Sequence, residues 1–119
     1  LSRYRRADHR DCLEIWCRRK NRQHDFLTFK KAHPYALWFH AKDKPGSHVI
    51  LACHRAEPTD KQLTAAAELA AYYSKGRSDS KVDVDCTLVR NVKKPAHAAP
   101  GFVIFEGQTT YHVAPKKWE

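Results

Sequence analysis

Apolar and polar residues alternate with a period of two in several stretches, the pattern of strands whose successive side chains face opposite ways. Leu13, Ile15 and Cys17 alternate with Glu14 and Trp16, after a short strand around Tyr4 and a turn over residues 8–11. Leu37, Phe39 and Ala41 alternate with Trp38, His40 and Lys42, and residues 48–53 alternate again. Between them, Asp43-Lys44-Pro45-Gly46-Ser47 predicts a tight turn, with Pro45-Gly46 in the central positions of a type II turn. Residues 82–88 predict a half-buried strand, Val82, Val84, Cys86 and Leu88 inward, Asp83, Asp85 and Thr87 outward. Residues 91–100 read as an extended loop, and residues 101–105 and 109–113 as a terminal hairpin around Gly107. The period changes to helical after Thr59-Asp60-Lys61-Gln62, a capping-box sequence. Leu63, Ala66, Ala67 and Ala70 then form one stripe, and Gly76 reads as the stop. Asp25 predicts the cap of a short helix ended by Pro34. The expected fold is α+β: one domain over residues 1–119, a mainly antiparallel sheet, one long helix (about 60–75) and one short helix (about 26–32).

Charge changes the picture more than hydropathy does. The net charge is +9, and residues 1–31 carry ten Lys and Arg against four Asp and Glu. Such an excess favours polyanionic partners, because pairing with phosphates releases counterions. A soluble basic protein with no such partner is the plain alternative. No long apolar run predicts a membrane span and no signal-peptide pattern is present, so a cytoplasmic location without a membrane partner is expected. The chain has no methionine, even at position 1, and reads as a piece of a longer protein.

Motifs for common chemistries are missing. The four glycines do not cluster into a phosphate loop, and there is no G-x-S-x-G elbow. Cys12, Cys17, Cys53 and Cys86 contain no C-x-x-C pair and read as buried thiols rather than a zinc site. Cys53 beside a histidine would make a nucleophile pair, but a cysteine at a strand end is more often core. Asp83 and Asp85 share a strand face, more often a solvated face than an acid–base pair. No catalytic residue, metal or cofactor is assigned. Chemistry is densest on the central hairpin, where His40 and His48 approach each other as partners for RNA, a metal or proton transfer.

The strings LWFHAKDKPGSHVIL, AAAELAAYYSKGRSDSKVDVDCTLVRNVKKP and PGFVIF, with KNRQHDFLTFK upstream, resemble the NFACT-R domain. That is the C-terminal domain of the bacterial RqcH family, also labelled FbpA or fibronectin-binding protein. The resemblance spans roughly residues 18–115. Departures are the absence of glycine before Gly46, His24 where the family has asparagine, and Cys86 where tyrosine is common. The resemblance implies an RNA-binding module of ribosome-associated quality control. Its partners would be the large ribosomal subunit, rRNA and tRNA. The NFACT-N, helix-hairpin-helix and coiled-coil segments of the full-length protein would support alanine tailing of stalled chains. The module itself would not be an enzyme. The basic cluster Arg18, Arg19, Lys20 and Arg22 supplies cations for phosphate. The resemblance carries over Trp38, His40, Lys42, Asp43, Ser47 and His48 from the hairpin and Ser74, Lys75 and Arg77 after the helix. Lys93 and Lys94 come from the NVKKP segment. Apart from the turn-formers Pro45 and Gly46, these are expected at the surface. Two other functions stay open: a fibronectin-binding adhesin, and a small nucleic-acid-acting enzyme using His40 and His48.

Overall fold

The computed structural model describes residues 2–8, 11–17, 34–53, 57–99 and 102–117. Eight strands and one α-helix follow in the order β1 (Ser2–Asp8), β2 (Asp11–Cys17), β3 (Leu37–Ala41), β4 (Val49–Cys53), α1 (Asp60–Tyr72), β5 (Val82–Leu88), β6 (Val92–Lys93), β7 (Ile104–Phe105) and β8 (Thr109–Val113). A 3₁₀ turn, Val89–Asn91, separates β5 from β6. Six strands form one antiparallel sheet in the order β1-β2-β4-β3-β5-β8. β6 and β7 form a small sheet of their own.

The two strands of the central hairpin pair with Leu37 opposite Leu51, Trp38 opposite Ile50 and Phe39 opposite Val49. Because neighbouring side chains leave a strand on opposite faces, Trp38 and Phe39 enter two different cores. Phe39, Ala41, Val49, Leu51, Val82, Val84 and Cys86 face α1, which covers them with Ala66, Ala67, Leu69, Ala70 and Ala71. Alanine on the buried side lets the helix lie close to the sheet. On the opposite face Trp38 and Ile50 are closed over by Val89, Val92, Val103 and Phe105.

The expected pair of helices is corrected. Among the described residues there is one α-helix, and the segment expected as a short helix (26–32) lies outside the described residues. The helix itself ends at Tyr72, not near 75. Its start agrees with expectation: Thr59 Oγ1 accepts from the Gln62 amide at 3.2 Å and Gln62 Oε1 from the Thr59 amide at 2.8 Å. Its end comes early because Ser74 leaves the helix to form a β-bridge with Gly46. Ser74 Oγ donates to the Ala71 carbonyl at 2.7 Å, and Arg77 Nε donates to the Tyr72 carbonyl at 3.0 Å. These side chains satisfy terminal carbonyls that would otherwise lack partners.

Three local expectations change for related reasons. Gly46 does not take the positive φ of a type II turn; Asp43 does, at 55°. Glycine is needed at 46 for proximity, since a Cβ there would lie 2.9 Å from the Ser74 Cβ. Residues 101–105 and 109–113 do not form a hairpin with each other. β7 pairs with β6 and β8 with β5, and Gly107, at φ 67°, turns the corner between the two sheets. The segment expected as a loop from 91 to 100 therefore begins with strand β6. Finally, the second half of β5 is buried on both faces. Asp83 is exposed as expected, but Asp85 and Thr87, also expected outward, are 3% and 4% exposed, because residues 102–106 cover them on the face opposite the helix.

Candidate nucleic-acid interface

The face opposite α1 is built around Trp38. Its ring stacks on His40, with centroids 5.7 Å apart and 3° between planes. It meets His48 edge-on at 5.5 Å and Phe105 at 4.8 Å. His40 and His48 also meet edge-to-face, at 5.6 Å. The two histidines thus come together, but His48 and Trp38 are both 0% exposed. Trp38 Nε1 has no hydrogen-bond partner among the described residues. His40 is held below its ordinary pKa of 6.5 by burial, against weaker opposing contributions from the backbone of Ala41 and Gly46 and from the charge of Asp85.

Asp85 sits across the strand pair from His40. Its Oδ1 accepts the Thr110 hydroxyl at 2.8 Å and lies 3.7 Å from Lys42 Nζ. The neighbouring Thr87 is satisfied as well, donating to the Glu106 carbonyl at 2.7 Å and accepting from Asn91 Nδ2 at 3.1 Å. A buried carboxylate is tolerable only when such partners replace water. Beside this layer lies a pocket of about 340 Å³. Trp38, His40 and Asp85 line it from the sheet, Lys44 from the turn, and Phe102 and Phe105 from the chain that closes this face. Phe102 at its edge is 56% exposed, and Lys94 Nζ donates to the carbonyls of Ala99 and Phe102.

A second cluster lies where the turn after β3 meets the end of α1. Ser47 donates its amide to the Tyr73 carbonyl at 3.0 Å and Lys75 to the Pro45 carbonyl at 2.9 Å. These bonds bring the turn that carries Lys44 to the same edge as Lys75 and Arg77; Lys42, at the start of that turn, reaches toward Asp85. Lys44 lies 3.6 Å from Asp79. The Arg77 guanidinium covers the Tyr72 ring at 4.7 Å.

Of the residues singled out in the sequence, Lys42, Asp43, Lys75, Arg77 and Lys93 are exposed and Lys94 is half-buried. His40 and Ser74 are half-buried, and Ser74 is engaged in ending the helix. The expectation of a surface position is corrected for Trp38, Ser47 and His48. All three are buried, because the second layer closes over this face and the turn folds against the helix end. Arg18, Arg19, Lys20 and Arg22 lie outside the described residues. The sequence reading missed Asp85 as a buried acid and Phe102 and Phe105 as pocket walls. For Phe102 and Phe105 a signal was available, since PGFVIF is the most apolar stretch near the C-terminus; for Asp85 there was none, because Asp83 shares its strand parity and is exposed.

Among the described residues no cluster of three or more His, Cys, Asp or Glu is placed to hold a metal ion, and no helix is long and apolar enough to cross a membrane. Cys86 is a buried free thiol whose pKa is pushed up to about 12 by burial, which keeps it protonated and poorly nucleophilic.

A basic edge, an exposed ring at Phe102 and a small pocket on an antiparallel sheet are features shared with the class of RNA-binding surfaces. The comparisons with known proteins agree in kind: the profile of the NFACT protein RNA binding domain matches residues 10–101, and the chain belongs to that family. It is 48% identical over 101 residues to the Rqc2 homolog RqcH of Streptococcus pneumoniae (strain ATCC BAA-255 / R6), an alignment covering 85% of this chain and 18% of that protein. It is 44% identical over 103 residues to the Rqc2 homolog RqcH of Bacillus subtilis (strain 168), covering 87% of this chain and 18% of that protein. The chain therefore spans about a fifth of the length of these relatives. The structure of the C-terminal part of the fibronectin/fibrinogen-binding protein of Streptococcus suis superposes with a TM-score of 0.84 at 46% identity, covering 88% of this chain and 42% of that one.

Proposed function

We propose that this chain is the RNA-gripping domain of a ribosome-associated quality-control factor. It holds rRNA or tRNA on a stalled large ribosomal subunit, while other segments of the longer protein support alanine tailing. In this reading the domain is a non-catalytic binding module. Its membership of the RNA-binding family carries the proposal. The edge formed by Lys44, Lys75 and Arg77, with Lys42 at the start of the turn, supports it, because the Gly46–Ser74 bridge holds two basic segments together. Cations fixed side by side lose less conformational freedom on meeting phosphate than cations on separate loops.

The test is binding of the chain to tRNA, large-subunit rRNA and duplex DNA across a salt series. Structured RNA is expected to bind in preference to DNA, with affinity falling steeply as salt rises. Lys42→Ala with Arg77→Ala is expected to weaken binding and reduce the salt slope by about 2, roughly 1 for each phosphate no longer neutralised. Equal, weak binding to all three would overturn the reading.

The adhesin alternative has one observation in its favour, the description of the Streptococcus suis neighbour as fibronectin/fibrinogen-binding. Immobilised fibronectin capturing this chain at a salt concentration that abolishes RNA binding would support it. The alternative of a small nucleic-acid-acting enzyme using His40 and His48 is opposed by the complete burial of His48, which leaves no path from that imidazole to a substrate.

A further inference from the structure

The pocket beside Trp38 is chemically unlike the basic edge it adjoins. Its walls are mostly ring surfaces and short apolar groups, with the carboxylates of Asp43 and Asp85 and the single cation of Lys44 among them. A phosphate inside would meet two acids and dry rings against one cation at the turn, which is an unfavourable exchange for its hydration. A flat, uncharged group with a hydrogen-bond donor on its rim is the complementary shape. At about 340 Å³ the pocket is near the small end of ligand sites, which run from roughly 300 to 1,000 Å³. That is room for one planar heterocycle and part of a sugar.

We propose that this pocket takes a single unstacked RNA base bearing an exocyclic amine, inserted edge-first toward Asp85 and stacked on Phe102. The proposal rests on the RNA-binding reading and names the subsite within it. Three features carry it. The first is Phe102, a large ring left 56% exposed at the pocket edge. Its backbone is tethered through Lys94, so the platform is held in place. Fixed aromatic platforms of this kind serve single-stranded RNA recognition, because every base has a face to stack. The second is the state of Asp85. Thr110 and Lys42 both engage Oδ1, which leaves Oδ2 as the spare acceptor. A carboxylate accepts from the amine of cytosine or adenine, whereas uracil turns carbonyl oxygens toward the same position. The third is Lys44, which lines the same pocket and brings a cation to the place where the nucleotide's phosphate would leave it.

The experiment uses fluorescence anisotropy of labelled C8 and U8 oligoribonucleotides with the 119-residue chain, in parallel with the tRNA salt series. These pyrimidine strands differ along one ring edge, an amine beside an acceptor nitrogen in cytosine against a carbonyl beside an N–H in uracil. C8 is expected to bind at least about fivefold tighter than U8, the lower end of what one matched base contact supplies. Phe102→Ala, at an exposed position, is expected to weaken C8 binding by about fivefold to a hundredfold, the span of one base stack removed, with the salt slope unchanged. Asp85→Asn keeps the shape but adds a donor, and is expected to bring the C8-to-U8 ratio to near one. If tRNA binds with its salt dependence but C8 and U8 bind alike and Phe102→Ala changes nothing, the pocket proposal is overturned and the RNA-binding reading stands. If no RNA binds near physiological salt, both fall.

Discussion

Trp38 and Phe39 are neighbours in the chain, and both are 0% exposed, yet they belong to two different interiors. Phe39 enters a core of alanines and aliphatic strand residues under α1, where fit alone matters. Trp38 enters a mixed interior with His40, His48, Asp85 and Thr87, where polar partners must be supplied one by one. The helix-covered face tolerates change in proportion to volume. The other face is specified by hydrogen bonds and ring geometry, and it is the face that carries the pocket. Under the proposed function, both faces contribute to stability and only the Trp38 face also contributes to recognition.

Truncating the two neighbours gives the largest expected effects. Trp38→Ala and Phe39→Ala each remove a fully buried ring, expected to cost about 3–5 kcal/mol in urea unfolding. Only Trp38→Ala is also expected to weaken RNA binding in protein that remains folded. If both variants lose RNA affinity equally, the two faces are not separate. Gly46→Ala comes next, at about 1–3 kcal/mol from overpacking against Ser74. A Ser74→Gly change in the same chain should recover part of that loss, and failure to recover would locate the strain elsewhere.

Smaller effects probe the polar interior. Thr110→Val leaves Asp85 short of a donor and is expected to cost about 1–2 kcal/mol, with little change if Lys42 can replace it. The His40 prediction concerns pH. Its folded pKa lies below the ordinary 6.5, so the unfolded chain takes up the proton first as pH falls. Its contribution to stability is complete above 6.5, declines below that value, and levels off once the folded imidazole also protonates. Unfolding midpoints measured from about pH 7.5 down to about 5 should fall more steeply for the native chain than for His40→Gln. Parallel curves would refute this assignment.

The alternating pattern was enough to locate the two strands of the central hairpin, and the capping sequence the helix start. Those features follow from period and from Thr59 and Gln62, which act locally. The covered second face was not legible, because burial of Asp85 and Thr87 depends on residues 89–105 returning across the sheet, an arrangement no local period records. The same is true of Gly46. A Pro-Gly pair reads as a turn signal, but the actual constraint is the approach of Ser74, twenty-eight positions later in the chain. The candidate site was legible as a neighbourhood, through Lys42 and Arg77, but not in its layers. Trp38, Ser47 and His48 share residue types with surface RNA contacts and prove to be interior.

The junction between Gly46 and Ser74 also restricts how such a sequence can diverge. Amides on both sides of it are already committed across the gap, from Ser47 to Tyr73 and from Lys75 to Pro45. An insertion in either segment breaks both bonds, so turn length and helix length have to drift together. A side chain acquired at position 46 requires a smaller one at 74. Length variation is cheaper on the far side of the sheet, in the loop over residues 95–99, where the tethers belong to one side chain. Covariation between positions 46 and 74, and insertions gathered near 95–99, would be the record left by that constraint in related chains.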